Sequence, residues 1–232
     1  MTRIEAGVSA QLNPFGPDWQ TAKAEETASV GQQVQAKLFG RIKPPILDPA
    51  LFPEVAAAMA QLQRFKRKLA VMAGDKDEDY LLALADGTIA MIDEYGVIYV
   101  GAGFLRACAD KPEILAGVLA HEIGHRPKRW NGYRSDKQLA QGELEALCRH
   151  EETRADIFAG KGLAELGLSC EPLVAFLQAV EDKPHPEYFP AEVRGEVIRG
   201  AFAERAFRVE ARRKLFPEFD RMTSPKGHVG DL

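Results

Sequence analysis

Apolar positions recur at helical spacing over most of this chain, so the sequence predicts a mainly helical protein. The clearest helix covers residues 111–125, which are apolar on nearly every side, as in a helix buried at the centre of a domain. Its start carries a proline and an acidic residue, both favoured in a first helical turn. The same spacing predicts other helices over 53–72, 104–109, 137–166, 172–180 and 191–215.

Between two of these helices the hydrophobic period changes from helical to alternating. The stretch DYLLALADGTIAMIDEYGVIYV contains two or three short strands, with turns at Asp86-Gly87 and Tyr95-Gly96. Together with the helices, these strands predict an α+β fold that is mainly helical and carries a small antiparallel β-sheet.

Three regions follow from the distribution of prolines and polar residues. Residues 1–48 are mixed in character and are predicted to form an N-terminal extension, partly flexible or wrapping the domain, with a loose amphipathic helix over 21–39. Residues 49–217 contain the regular elements and form the domain itself. Residues 218–232 are a polar tail.

Composition narrows the classes of function. A formal charge of −4 argues against broad binding of nucleic acid or anionic lipid. No stretch has the length of a membrane span, and the N-terminus lacks the apolar core of a signal peptide. The chain has three cysteines with no close-spaced pair, which favours reduced thiols and a cytoplasmic location. A removed leader or anchor and membrane association by other means remain open.

The stretch HEIGH, residues 121–125, ends the apolar helix and carries candidate metal chemistry. An α-helix turns about 100° per residue, so His121 and His125 lie on one face and can hold one metal ion through one imidazole nitrogen each. Glu122 can take a proton from a metal-bound water without being a ligand. The pattern therefore indicates the core of a zinc hydrolase site. The alternative is two histidines whose polar atoms are satisfied within an ordinary core.

A third ligand is needed, and the stretch HEETRAD in the helix over 137–166 offers candidates. Catalytic zinc takes three protein ligands and leaves one position for water. The candidates cannot all face the metal, because they spread around the helix: His150, Glu151, Glu152 and Asp156. Glu152 and Asp156 share a face, so Glu152 can bind zinc while Asp156 supports a ligating histidine. The alternative is a solvated helix face whose charges pair with Arg154.

The chain resembles a known family over about residues 80–200. GVIYVGAGFLRACADKPEILAGVLAHEIGH followed by EETRADIFAGKGLAELG is similar to the gluzincin zinc metallopeptidases of the CAAX prenyl protease and HtpX-like endopeptidases. The resemblance implies a zincin-like metallopeptidase domain, with the small sheet beside the active-site helix. It also implies one Zn²⁺ ion, with ligands His121, His125 and Glu152, base Glu122 and supporting carboxylate Asp156.

The resemblance extends less closely to three further residues. His185-Pro186 and Arg194 correspond to a later "His-Pro … Arg" motif, which implies a catalytic role for His185 and a substrate or oxyanion role for Arg194. Ala90 lies in GTIAMID, where the family often has Asn-Ala-Phe-Ala on the strand lining the cleft. This strand could bind substrate as an added strand.

These observations predict a zinc-dependent endopeptidase that acts on a protein or peptide substrate and is held latent by its own loop or extension. The alternative from another class is a catalytically silent, zinc-containing peptide-binding or chaperone-like module. The intact Glu122 argues against it, because such a module has no chemical need for that carboxylate. A zinc hydrolase acting on another kind of bond is a third reading that the motifs leave open.

Overall fold

The structure is a computed structural model, and it describes residues 28–40, 42–133, 137–180 and 186–215. The described strands are β1 Leu81–Ala85, β2 Ala90–Ile92 and β3 Val97–Gly101. The described α-helices are α1 Val30–Phe39, α2 Ala56–Ala73, α3 Ala102–Cys108, α4 Pro112–His125, α5 Gln141–Leu166, α6 Glu171–Val180 and α7 Ala191–Leu215. The mainly helical α+β fold is therefore confirmed.

Helix α4 lies at the centre of the domain, as its all-round apolar sequence predicts. Its side chains Leu115, Leu119 and Ile123 are fully or almost fully buried. Helices α2, α5 and α6 all pack against it, and β2 lies alongside it. Its last residues carry the HEIGH stretch, so the candidate metal ligands lie on the most deeply packed helix of the described core.

The predicted antiparallel sheet is wrong in one respect, because the sheet is mixed. The strand order is β1-β3-β2, with β3 antiparallel to β2 but parallel to β1. Only the second turn, at Tyr95-Gly96, closes a hairpin. After Asp86-Gly87 the chain crosses the end of β3, where the Gly101 N–H donates to the Ile89 carbonyl at 3.0 Å. As a result, β3 lies between β1 and β2 in the sheet.

The N-terminal part of the described chain packs against the domain. Ser29 caps α1, and Val34, Leu38 and Phe39 of this helix are buried in the common core. Further along, Ile46 forms an antiparallel bridge with β1. The extension from residue 28 to 48 therefore wraps the domain where it is described. Residues 1–27 and the tail 218–232 lie outside the described residues.

Helices α5 and α7 make the most extensive helix contact of the described fold, and a glycine permits it. A Cβ added at Gly160 of α5 would lie 2.3 Å from the Ile198 carbonyl oxygen of α7, well inside contact distance. The two backbones therefore touch at this point. The contact matters for the site because α7 also carries Arg194, which reaches across to α5.

The described helices include none that is both long enough and apolar enough to cross a membrane.

We expect Gly160→Ala to destabilise the fold by about 1–3 kcal/mol, because the new methyl group forces α5 and α7 apart. The matched control is Gly200→Ala on α7, where an added Cβ meets nothing within 4 Å. That substitution should leave stability unchanged or raise it by about 0.5–1 kcal/mol, since alanine favours a helix more than glycine. Urea unfolding of the two variants measures both effects, and equal stabilities would contradict the packing argument.

Candidate metal centre

The two histidines of HEIGH are placed by the way α4 ends. The helix stops at His125 because Pro127 disfavours a helical residue before it, and Arg126 adopts a left-handed conformation with φ of 43°. The Arg126 side chain makes two hydrogen bonds to Asp75, of 2.9 and 2.6 Å, which hold this unusual backbone. The end of α4 is thereby anchored to the segment that follows α2.

Gly124 allows the other half of the site to approach. A Cβ at this position would lie 2.9 Å from Ala155 Cα and 2.9 Å from Phe158 Cβ, both on α5. Without that Cβ, the last turn of α4 lies directly against α5. The glycine inside HEIGH therefore brings the carboxylates of HEETRAD within reach of the two histidines.

Three side chains then converge on one point. Ligand atoms of His121, His125 and Glu152 all lie within 4.8 Å of one another, so this cluster could hold a metal ion. Glu152 Oε2 is 3.1 Å from His121 Nε2 and 3.8 Å from His125 Nε2. The Nε2 atoms therefore face the shared position, and each Nδ1 atom points away from it. Imidazole nitrogens with one carboxylate oxygen are a donor set that suits zinc and several other transition metals.

Asp156 lies behind His121, on the Nδ1 side of its ring. Its Oδ1 atom lies 2.9 Å from His121 Nδ1. Arg194 donates to both oxygens of the same carboxylate, at 2.8 and 2.9 Å. The predicted substrate or oxyanion residue Arg194 thus lies at the centre, but its described contacts are with Asp156 and, through its guanidinium, with the ring of Tyr188 at 5.1 Å.

Electrostatics within this group favour ionised carboxylates. Burial alone would raise the pKa of Asp156, but hydrogen bonds from Arg194 and His121 outweigh it and lower that pKa to about 2. Burial likewise opposes the ionisation of Glu152, while the charges of both histidines hold its pKa below the usual value. In the metal-free protein, burial disfavours protonated His121, but Asp156 and Glu152 prevail and raise its pKa to about 10. The centre therefore attracts positive charge.

His125 has different surroundings. Its Nδ1 atom faces the carboxylate of Glu151 at 3.7 Å, and Arg129 donates a hydrogen bond to that carboxylate. The edge of its ring packs against Phe39 of α1, with 5.8 Å between ring centroids. Glu151 was one of four candidate ligands in the sequence, and the structure places it behind His125 rather than at the shared position.

Glu122 opens onto the same space as the ligand cluster. A cavity of about 60 Å³ is lined by Glu122, the three clustered side chains, Tyr188, and residues of α1 and β2. No hydrogen bond to the Glu122 carboxylate occurs within the described part of the chain. Ala90 of β2, the predicted substrate residue, also lines this cavity. His185, predicted to be catalytic, lies outside the described residues.

Several residues of the centre were missed or misplaced by sequence reasoning. Arg129 was not among the candidate residues from the sequence, and Leu38 and Phe39 were read only as part of the extension. Nothing in their local pattern marks them, because each reaches the site only through tertiary packing. Glu151 was marked by its charge, but its direction depends on the crossing of α4 and α5.

No family model, curated protein or solved structure matches this chain.

We expect Glu152→Gln to weaken zinc binding by more than about 100-fold, since losing a ligand costs more than losing a supporting residue. The control is His150→Ala, because His150 is exposed on the same helix and is another candidate from the same stretch. That variant should bind zinc like the wild type. Competition with a chromophoric chelator measures both affinities, and equal losses in the two variants would argue against Glu152 as a ligand.

Proposed function

We propose that the protein is a zinc-dependent endopeptidase with a zincin-like domain. The observation that carries this proposal is the position of Glu122, whose carboxylate lines the same cavity as His121, His125 and Glu152. A metal site that only stabilises a fold is usually closed by four protein ligands. Here three ligands lie beside a cavity, and a fourth residue, Glu122, lines the same cavity without being a ligand. This is the arrangement that hydrolysis needs.

A zinc ion held by the three ligands would supply Lewis-acid polarisation of water and of a substrate carbonyl. Glu122 then acts as the general base, accepting one proton from the attacking water and passing it to the leaving amine. Asp156, held by Arg194, keeps the Nδ1 proton of His121 in place and so directs Nε2 toward the cavity. Tyr188 lines the cavity and is the described side chain that we assign as donor to the developing oxyanion.

The sheet offers a place for an extended peptide. Strand β2 pairs with β3 on one side, and no strand or bridge in the described ranges pairs with its other side. The Ile89 carbonyl and the Asp93 N–H form hydrogen bonds with β3. Because the direction of the backbone polar groups alternates along an antiparallel strand, the N–H and carbonyl of Ala90 point to the open edge. A substrate strand added there would run past the mouth of the cavity.

The described conformation supports a latent state. The cavity is narrow, with a volume of about 60 Å³ that holds a few water molecules. Leu38 and Phe39 of α1 form part of its wall. Lys37 of the same helix pairs with Glu187 at 2.6 Å, next to Tyr188 on the opposite side of the cavity. We propose that α1 must move before a peptide can enter.

We expect Glu122→Gln to abolish cleavage of a fluorogenic peptide, with a loss of at least about 100-fold, because no other described carboxylate in the cavity is free to act as base. Zinc content should stay at the wild-type level. The control Glu113→Gln, in the first turn of the same helix, should keep full activity. If wild type binds zinc and cleaves no peptide under any condition that opens α1, the silent peptide-binding module becomes the better account.

We expect Lys37→Ala to raise peptide cleavage by up to about fivefold, because the lost ion pair of about 1 kcal/mol helps to hold α1 over the cavity. The control is Lys43→Ala, which removes another ion pair of the N-terminal region, with Glu94 at 2.9 Å, outside α1. Its activity should equal that of the wild type. Initial rates on one peptide at subsaturating concentration compare the three proteins, and a slower Lys37→Ala enzyme would contradict latency by α1.

A further inference from the structure

We propose that Glu151 is a positioning residue for His125: held by Arg129, its Oε1 accepts a hydrogen bond from the Nδ1–H of His125 when Nε2 of that histidine binds the metal ion. The proposal rests on the metal site proposed above but not on peptidase activity. Glu151 directly precedes the ligand Glu152 in the sequence but has a different role.

The geometry around His125 separates its two nitrogens. Nε2 faces Glu152 Oε2 and the shared position, whereas Nδ1 faces Glu151 Oε1 at 3.7 Å. Glu151 is on the far side of the ring from the metal position, and its side chain is 1 % exposed. It therefore cannot serve as a third ligand, but it can fix which nitrogen carries the proton.

Both facing atoms lack a partner. His125 Nδ1 and Glu151 Oε1 are buried, and neither has a hydrogen-bond partner among the described residues. Leaving a buried donor or acceptor unpaired costs about 1–3 kcal/mol. An approach of about 0.8 Å would bring them to a normal hydrogen-bond distance. That bond requires the proton to be on Nδ1, which leaves the lone pair of Nε2 for the metal.

Arg129 orients the Glu151 carboxylate. Its guanidinium donates to Glu151 Oε2, so Oε1 is left for His125. Burial by itself lowers the pKa of Arg129, and the adjacent Glu151 charge opposes that effect. Arg129 lies in the short 3-10 helix Pro127–Gly132 that directly follows α4, so the same turn that ends α4 also delivers this cation.

The arrangement repeats the one at the other histidine. His121 is backed by Asp156 and Arg194, and His125 is backed by Glu151 and Arg129. Behind each histidine, on the Nδ1 side of its ring, lies a carboxylate, and an arginine contacts that carboxylate. Antiparallel crossing of α4 and α5 explains the pairing, since the later histidine meets the earlier carboxylate. These two sets of side-chain contacts would orient the Nε2 atoms of both imidazoles toward the shared metal position.

The test compares zinc affinity in variants that remove or keep the acceptor. Glu151→Gln keeps an oxygen that can accept a hydrogen bond from Nδ1–H, so this variant should bind zinc within about threefold of wild type. The double variant Arg129→Met/Glu151→Met removes acceptor and cation together, which avoids leaving either charge buried alone. We expect it to bind zinc about 10–100-fold more weakly, the usual effect of losing a residue behind a ligating histidine. Its metal-free form should unfold within a few degrees of wild type.

A control distinguishes this effect from the general loss of an ion pair on α5. Arg205→Met/Glu165→Met removes a 2.6 Å ion pair near the C-terminal end of that helix, where Glu165 also contacts the half-exposed Arg212 at 3.0 Å, and should leave zinc affinity unchanged. Wild-type affinity in the Arg129→Met/Glu151→Met protein would overturn the proposal. Equal weakening by Glu151→Gln would also overturn it, because the acceptor oxygen would then be irrelevant. A wild type that binds no zinc would instead overturn the metal site itself.

A second measurement uses the wild-type protein, so it does not require any variant to fold. In the zinc-loaded protein, nitrogen-15 NMR of the imidazoles should show His125 protonated on Nδ1, with a proton protected from exchange with water. Ligation through Nε2 alone already places the proton on Nδ1, so the protection of this proton from exchange is the result that reports its hydrogen bond to Glu151. Protonation on Nε2, or rapid exchange of the Nδ1 proton, would contradict the proposal.

Discussion

The close contact of α4 with α5 is the constraint on which the rest of the centre depends. It exists because Gly124 has no side chain, so the last turn of α4 rests on the backbone of Ala155. At this distance any polar side chain between the helices is removed from water and must find a partner. The histidines of one helix and the carboxylates of the other are those partners. The same helix contact therefore determines both the packing of the core and the geometry of the candidate metal site.

Burial of so many charges is tolerable only because they are arranged in balanced groups. Glu151, Glu152 and Asp156 lie on one helix and are all nearly inaccessible to water. Arginines compensate two of them from outside the helix pair, Arg129 from the turn after α4 and Arg194 from α7. Of these three carboxylates, Glu152 is the one that faces both histidines. No arginine among the described residues donates a hydrogen bond to it. That difference among three neighbouring carboxylates marks Glu152 as the one whose charge is available to a cation.

Sequence patterns predicted the parts of this fold that depend on local structure. The bounds of α4 and α7 follow from periodicity and helix-starting residues, and the grouping of His121, His125 and Glu152 follows from motif spacing. The strand order was not predictable, because both turns look alike in sequence and only one closes a hairpin. Leu38, Phe39, Arg129 and the direction of Glu151 were also beyond local reasoning. Each depends on contacts between segments distant in sequence, whose geometry no short pattern encodes.

The order of the contributing residues along the chain has a consequence for biosynthesis. Phe39, which packs on His125, is made before the candidate ligands, whereas Arg194, which holds Asp156, is made after them. A nascent chain on the ribosome therefore carries the wall of the cavity long before α7 can dock and complete the support of His121. Because domains generally fold as units, the centre is complete only after α7 has been made. A nascent chain that ends before α7 lacks the arginine that holds the carboxylate behind His121.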